Sequence, residues 1–199
     1  MILKEIISRR SIRAFDSRPV PDELLVSLFE AARWAPSSFN EQPWRFMISK
    51  KENEEQFHKM LSCITDHNRV WASNAAALLI CIARLHATDQ NIPNRHAYYD
   101  LGLAVGNLSL QATSLNLYMR QMAGFHPEIA VEKYHIPSGY EPVSMIALGY
   151  QGDAGSLPEN LRMKEEFPRV RKPLSELVFE EEFGLSSRLV KKTDEPPLI

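Results

Sequence analysis

Apolar residues along this chain fall into runs whose spacing separates strands from helices. Nine consecutive positions, 75–83, carry Ala-Ala-Ala-Leu-Leu-Ile-Cys-Ile-Ala and end at Arg84, which predicts a central strand covered on both faces. Trp44, Phe46 and Ile48 alternate with Arg45, Met47 and Ser49 as a strand does, and 117–122 and 143–148 read as two more strands. Phe57, Met60, Leu61 and Ile64 stand at i, i+3, i+4 and i+7, so 52–64 is predicted helical. Leu24, Leu25, Leu28, Ala31, Ala32 and Ala35 form a second helical stripe, opened by Pro21 with Asp22 and Glu23 behind it and stopped by Pro36. Leu3, Ile6 and Ile7 predict a short first helix, broken at 15–19, and 128–134 predicts another before the turn Pro137-Ser138-Gly139. Residues 89–95, polar and containing Pro93, are expected to be mobile. The tail from Gln151 onward, rich in Pro, Glu, Lys and Arg, is expected to be loosely held unless it wraps around something.

Residues 101–119 contain no charged side chain. Leu101, Ala104, Val105, Leu108, Ala112 and Leu115 mark one helical face, while Gly102, Gly106, Ser109 and Thr113 make a second face of small residues that would admit a neighbouring helix closely. A helix without a charged face either spans a membrane or lies inside a large core. Asn107, Gln111 and Asn116 would be costly in hydrocarbon, which favours burial. In a chain of 199 residues, burial on all sides points to a core completed by a second copy.

Composition narrows the class without naming a chemistry. With 44% apolar and 24% charged residues this is an ordinary globular chain, and a net charge of −2 gives no electrostatic reason to expect nucleic acid or an anionic membrane as partner. Cys63 and Cys81 sit in apolar contexts and form no C-x-x-C pair, so they read as buried thiols of a reducing compartment. Lys4 and Glu5 stand where an export signal would need its apolar stretch, so a cytoplasmic location is expected. No G-x-G-x-x-G follows a strand, no two histidines share a helical face with a carboxylate, and there is no G-x-S-x-G. Dinucleotide-fold, metal and serine-hydrolase readings therefore lack support.

Two motifs remain. In Arg9-Arg10-Ser11-Ile12-Arg13, three guanidinium groups within five residues repel one another unless water screens them or an anion sits among them. Arginine's planar fork matches phosphate oxygens in pairs and Ser11 adds a hydroxyl donor, although for the pentapeptide alone a solvated basic turn is the favoured reading. In Pro36-Ser37-Ser38-Phe39-Asn40-Glu41-Gln42-Pro43-Trp44, both prolines push the preceding residue toward extended shapes, as in a loop that points several donors at one ligand. Together, R-R-S-x-R-x-F-D and P-S-S-x-N-x-Q-P-W resemble the nitroreductase family of FMN-dependent oxidoreductases. The resemblance covers most of 2–178 and leaves 179–199 outside.

That resemblance implies an α+β fold, with a mixed or antiparallel sheet flanked by helices. It implies an intertwined homodimer around a long central helix, with two FMN sites at the subunit interface. Residues 1–178 would be the FMN-binding domain and 179–199 a tail wrapping on the partner. Arg9, Ser11, Arg169 and Arg171 match positions that hold the phosphate, with Arg10 and Lys172 next to them. Arg13 would lie at the flavin N1 and O2 edge, the backbone of Ala123 and Gly124 at N5, and Pro36, Ser37, Ser38, Asn40, Gln42 and Asn68 along the ring and ribityl chain. Phe39 and Tyr118 are further candidates for the pocket wall. Trp71 departs from the pattern, because many members carry a second basic residue there near the pyrimidine end of the ring, which leaves the flavin potential and pocket shape open. The implied reaction is ping-pong: NAD(P)H reduces FMN through N5 and leaves, and an electron-poor small molecule such as a nitroaromatic or quinone takes the hydride. A relative that reduces a carbon–halogen bond or an activated alkene, and a flavin-binding protein without turnover, are the alternatives.

Overall fold

The computed structural model describes residues 2–88 and 92–190. It contains α1 (Lys4–Ser8), β1 (Phe15–Asp16), α2 (Asp22–Arg33), β2 (Trp44–Lys50), α3 (Glu54–Leu61), α4 (Asp66–Ala72), β3 (Ala77–Arg84), α5 (Ala97–Ser114), β4 (Tyr118–Met122), α6 (Pro127–Tyr134), β5 (Tyr140–Gln151) and α7 (Glu159–Glu166). The chain divides after Glu165 into two units. In the second, a single 3-10 turn, Leu174–Glu176, precedes an isolated bridge between Phe179 and Ser186.

In the first unit every strand pairing is antiparallel. β3 lies between β2 and β5, and β5 carries β4 and, at its C-terminal end, β1 on its other side. The apolar run of β3 is explained by its two-sided burial. Leu78, Ile80 and Ile82 join a core with α3, α4, α6 and α7, while Ala77, Leu79, Cys81 and Ala83 join a second core with α2 and α5. Alternation of period two divides the strand between two apolar layers, so no polar position is left along it before Arg84. Cys63 and Cys81 are both buried and unpaired, and burial pushes the Cys81 thiol up to about 12.

Several expectations from the pattern are corrected. The tail after Gln151 is not loose at first, because Leu157 and Leu161 anchor α7 in the first core. β1 and α4 stand where no element was expected: both are short, and their order comes from packing rather than from a long periodic stripe. The helix that holds the uncharged segment starts earlier, at Ala97, and ends at Ser114, after which Leu115 caps it and Asn116, at φ 56°, turns the chain into β4. Within one chain α5 is covered on one face alone. Gly102 and Gly106 are exposed, and a Cβ at either would meet nothing within 4 Å. The apolar residues of α1 and its approach, Ile2, Leu3, Ile6 and Ile7, are likewise exposed. The mobility expected over 89–95 falls partly on 89–91, outside the described residues. Among the described residues no helix is long and apolar enough to cross a membrane.

Candidate functional site

The arginine cluster is carried to the sheet by β1. Phe15 and Asp16 pair with Gln151 and Tyr150, and the Gly152 amide donates to the Ala14 carbonyl at 2.8 Å. A Cβ on Gly152 would lie 2.6 Å from the Phe15 carbonyl carbon, so only glycine lets the strands come this close. Residue 13 is thereby held against α7. The Arg13 amide donates to both Glu165 carboxylate oxygens at 2.8 and 2.9 Å, the Ala14 amide to one of them at 3.3 Å, and the Arg13 guanidinium stands 3.6 Å from Glu165. Both side chains are mostly withdrawn from water, 15% and 8% exposed. The Arg9 guanidinium donates to the Ser11 hydroxyl at 3.0 Å, and Arg10 reaches the Glu165 main-chain carbonyl at 2.9 Å, which engages part of its fork within the chain.

A residue not singled out in the sequence, Arg120 on β4, joins this group. Its Nη1 donates to the Ser11 carbonyl at 2.5 Å, and its guanidinium carbon lies 5.4 Å from the centroid of the Trp71 ring. Burial first, then the charge of Arg13, hold the Arg120 pKa below the usual arginine value, while Glu165 pulls the other way. Trp71 belongs to the core and is 1% exposed, with its ring stacked on Phe15 at 6.3 Å. Its indole N–H is buried without a hydrogen-bond partner among the described residues.

From Trp71 the site continues along α4 to Asn68. The Asn68 side-chain amide donates to the Gly124 carbonyl at 3.1 Å, and so do the Thr65 hydroxyl at 3.0 Å and the Thr65 amide at 3.2 Å. Asn68 thus acts on the turn Ala123-Gly124-Phe125, and its amide group is engaged there. Gly124 is required for that reason: a Cβ would come 2.4 Å from Asn68 Nδ2 and 3.1 Å from Thr65 Oγ1. Among the described residues the Gly124 N–H itself has no hydrogen-bond partner. Gly124→Ala is expected to cost about 1–3 kcal/mol, as overpacking does, and Asn68→Ala about 0.5–1.5 kcal/mol, as a lost hydrogen bond does. In a urea unfolding cycle the double variant should lose clearly less than the sum, because the new methyl takes the space that the amide vacates. Additive losses would mean that the two groups do not meet.

The loop 36–43 is built separately. The Ser37 hydroxyl accepts the Gln42 amide at 3.0 Å, which leaves its own proton free to donate, and Gln42 Nε2 donates to the Asn40 carbonyl at 3.2 Å. The Ser38 amide donates to Asp100, a carboxylate on α5 that is 2% exposed. Glu41 ties the loop to the end of β3 through Arg84 at 2.5 Å, and hydrogen bonds from the Thr88 amide and hydroxyl, more than Arg84, lower its pKa. Phe39, Asn40 and Gln42 have φ of 51°, 56° and 44°. Non-glycine residues at positive φ in such density mark a strained segment, and Phe39 at its apex is 97% exposed. Pro36 is exposed before it. The loop borders a cleft of about 450 Å³ that Glu41, Ile92, Asn94 and His96 also line.

Strand register sets the two motifs far apart within one chain. The loop enters β2 at Trp44, opposite Ala83, whereas β1 pairs with Tyr150 and Gln151, beyond Leu148, the partner of Ala77. The length of β3 lies between, about 25 Å at roughly 3.3 Å per residue. The structure therefore brings Arg9, Ser11, Arg13, Asn68 and Gly124 into one connected set with Arg120 and Glu165. Pro36, Ser37, Ser38, Asn40 and Gln42 lie at the end of the sheet away from Arg9, Ser11 and Arg13, and across β3 and β5 from the turn that follows β4. Tyr118, half-buried, packs against the first core. Arg169 and Arg171 belong to the second unit, where Arg171 donates to the Val170 carbonyl. Sequence reasoning missed Glu165, Arg120 and Asp100. A trace of α7 was present in Ser156-Leu157-Pro158-Glu159, a helix-start pattern with Leu161 four residues after Leu157.

A sequence profile described as the nitroreductase family matches residues 6–150. A protein of Methanothermobacter thermautotrophicus, whose assigned name couples NADH dehydrogenase with NAD(P)H nitroreductase, is 31% identical over 156 residues, 76% of this chain and 78% of its own. The NADH dehydrogenase of Thermus thermophilus is 27% identical over 199 residues, covering 86% of this chain and 92% of its own. A crystal structure described as an oxidoreductase containing FMN superposes with a TM-score of 0.89 at 34% identity, over 94% of both chains.

Proposed function

The chain belongs to the nitroreductase family, and from that premise we propose that it is an FMN-dependent oxidoreductase in which NAD(P)H and an electron-poor small molecule use one site in turn. The observation that carries this reading is the connected set Ser11, Arg13, Arg120, Trp71, Asn68 and Gly124, which joins a cationic cluster to a glycine turn whose amide has no partner among the described residues. The chemistry of these donors suits the cofactor named for the crystal structure of similar fold. The Arg13 guanidinium pairs with Glu165, Arg120 is bonded to the Ser11 carbonyl, and Arg9 donates to the Ser11 hydroxyl. A phosphate dianion and a ring edge that becomes negative on reduction are groups such donors stabilise.

When bound, FMN supplies a reversible acceptor and donor of hydride. The chain's own residues then have separate tasks. Arg9 and Ser11 would bind the phosphate. Arg13, pinned by Glu165 through its own amide, holds positive charge at the flavin's N1 and O2 edge. Thr65 and Asn68 fix the Gly124 turn so that its amide stays aimed in one direction. Ser37, Ser38 and Asn40, braced by Asp100 and Arg84, come to each site from a second copy of the chain. The roughly 25 Å separation along β3 supports a shared site, and so do the open Gly102 and Gly106 face and the exposed residues of α1. The cleft beside Phe39 is then where the acceptor enters.

The purified protein incubated with FMN should show flavin bands in the visible spectrum and should bleach on rapid mixing with NADH or NADPH. A protein that stays yellow is a flavin carrier, and one with no flavin bands removes the reading. Turnover across nitroaromatic, quinone, halogenated and activated-alkene acceptors separates the substrate classes. Arg9→Ala is expected to weaken FMN roughly tenfold to a hundredfold, the effect of one charge-assisted bond of about 1.5–3 kcal/mol. Unchanged affinity would make Arg9 a solvated charge only.

A further inference from the structure

The Glu165 carboxylate pairs with one guanidinium, Arg13, and acts on a second, Arg120, through charge alone, while its oxygens already accept the amides of residues 13 and 14. Arg13 is the nearer cation, at 3.6 Å. Arg120 comes from β4, anchored at the Ser11 carbonyl and held over the face of Trp71. A guanidinium over an indole face is attracted by the ring quadrupole, so Trp71 works as a rail that sets where Arg120 stands. Burial and the facing Arg13 charge both disfavour the charged form of Arg120. A second cation kept in such a place, with no ion pair of its own among the described residues, is short of negative charge.

We propose that Arg120 is the second cation of the flavin site and acts with Arg13 on the negative charge that the pyrimidine edge acquires on reduction. This inference rests on the FMN reading. It also gives Trp71 a role: the indole carries no charge itself but positions one that arrives from another strand.

The test is a redox titration of bound flavin in R120M, R120K and E165Q, with dissociation constants for FMN and for riboflavin, which lacks the phosphate. R120M should hold reduced flavin about tenfold less tightly relative to oxidised, which lowers a two-electron potential by about 30 mV. R120K keeps the charge and should retain most of the parent potential. E165Q removes the shared counter-charge and should move the potential upward. Affinity lost in R120M should be lost alike for FMN and riboflavin. An unchanged potential in flavin-loaded R120M would overturn the proposal. So would a loss confined to FMN, which would assign Arg120 to the phosphate, or an equal fall in R120K, which would assign it to the Ser11 tie alone. Should R120M fail to fold, an unchanged or lowered potential in E165Q overturns it. A parent protein that binds no flavin would overturn this inference together with the reading beneath it, an outcome visible before any variant is made.

Discussion

Trp71→Ala is expected to lower stability by about 3–5 kcal/mol, the range for truncating a buried large aromatic side chain. For a chain of this size that corresponds to a fall in Tm of about 6–20 °C. The indole is 1% exposed, stacks on Phe15 and lies under Arg120, so its removal opens a cavity where α4, β1 and β4 meet. Trp71→Phe keeps a ring against Phe15 and should lose less than half as much. A thermal melt of Trp71→Ala within about 2 °C of the parent would show that the indole is not packed in this way. The same cavity would free Arg120 and loosen α4 beneath Asn68, so flavin affinity should fall with stability.

In dimers assembled from two different defective subunits, about a quarter of all sites should regain full FMN affinity. One variant lacks Arg9 and Arg13, the other Ser37 and Asn40, and each alone should bind FMN poorly. If every site takes its arginines from one chain and its loop from the other, a mixed dimer has one site with both lesions and one with neither. Random reassortment makes about half the dimers mixed, which yields that quarter. The subunits must be exchanged under mild conditions and mixed dimers isolated with two different tags. Tagged mixed dimers that bind no FMN would place both motifs in one chain's site, or in none. The expectation follows from register: the loop enters the sheet opposite Ala83, and β1 leaves it beside Gln151.

Local pattern was enough for the long elements and for the two motifs. The run 75–83 announces a strand buried on both faces because both layers it meets are apolar, and β3 divides its side chains between them. The stripes of α2 and α3 are read in the same way, since a helix packed along one side repeats its contact every three or four residues. The uncharged part of α5, from Leu101 onward, also discloses a face that the chain itself leaves open at Gly102 and Gly106.

What the pattern did not disclose depends on residues distant in sequence. α4, α7 and β1 are too short to hold themselves, so tertiary packing decides them. Glu165 receives the Arg13 amide from 152 positions away, and Arg120 meets the Ser11 carbonyl across 109. Neither pairing leaves any trace in spacing, because charge and hydrogen-bond partners are chosen by distance in space. Asn68 stood out in the sequence as a candidate, but its hydrogen bond to the Gly124 carbonyl did not, since only the folded turn brings the two within 3.1 Å. The arginine motif and the Pro-Ser-Ser loop are near neighbours in sequence, yet the sheet sets them about 25 Å apart, because antiparallel register fixes which end of a strand each connection occupies.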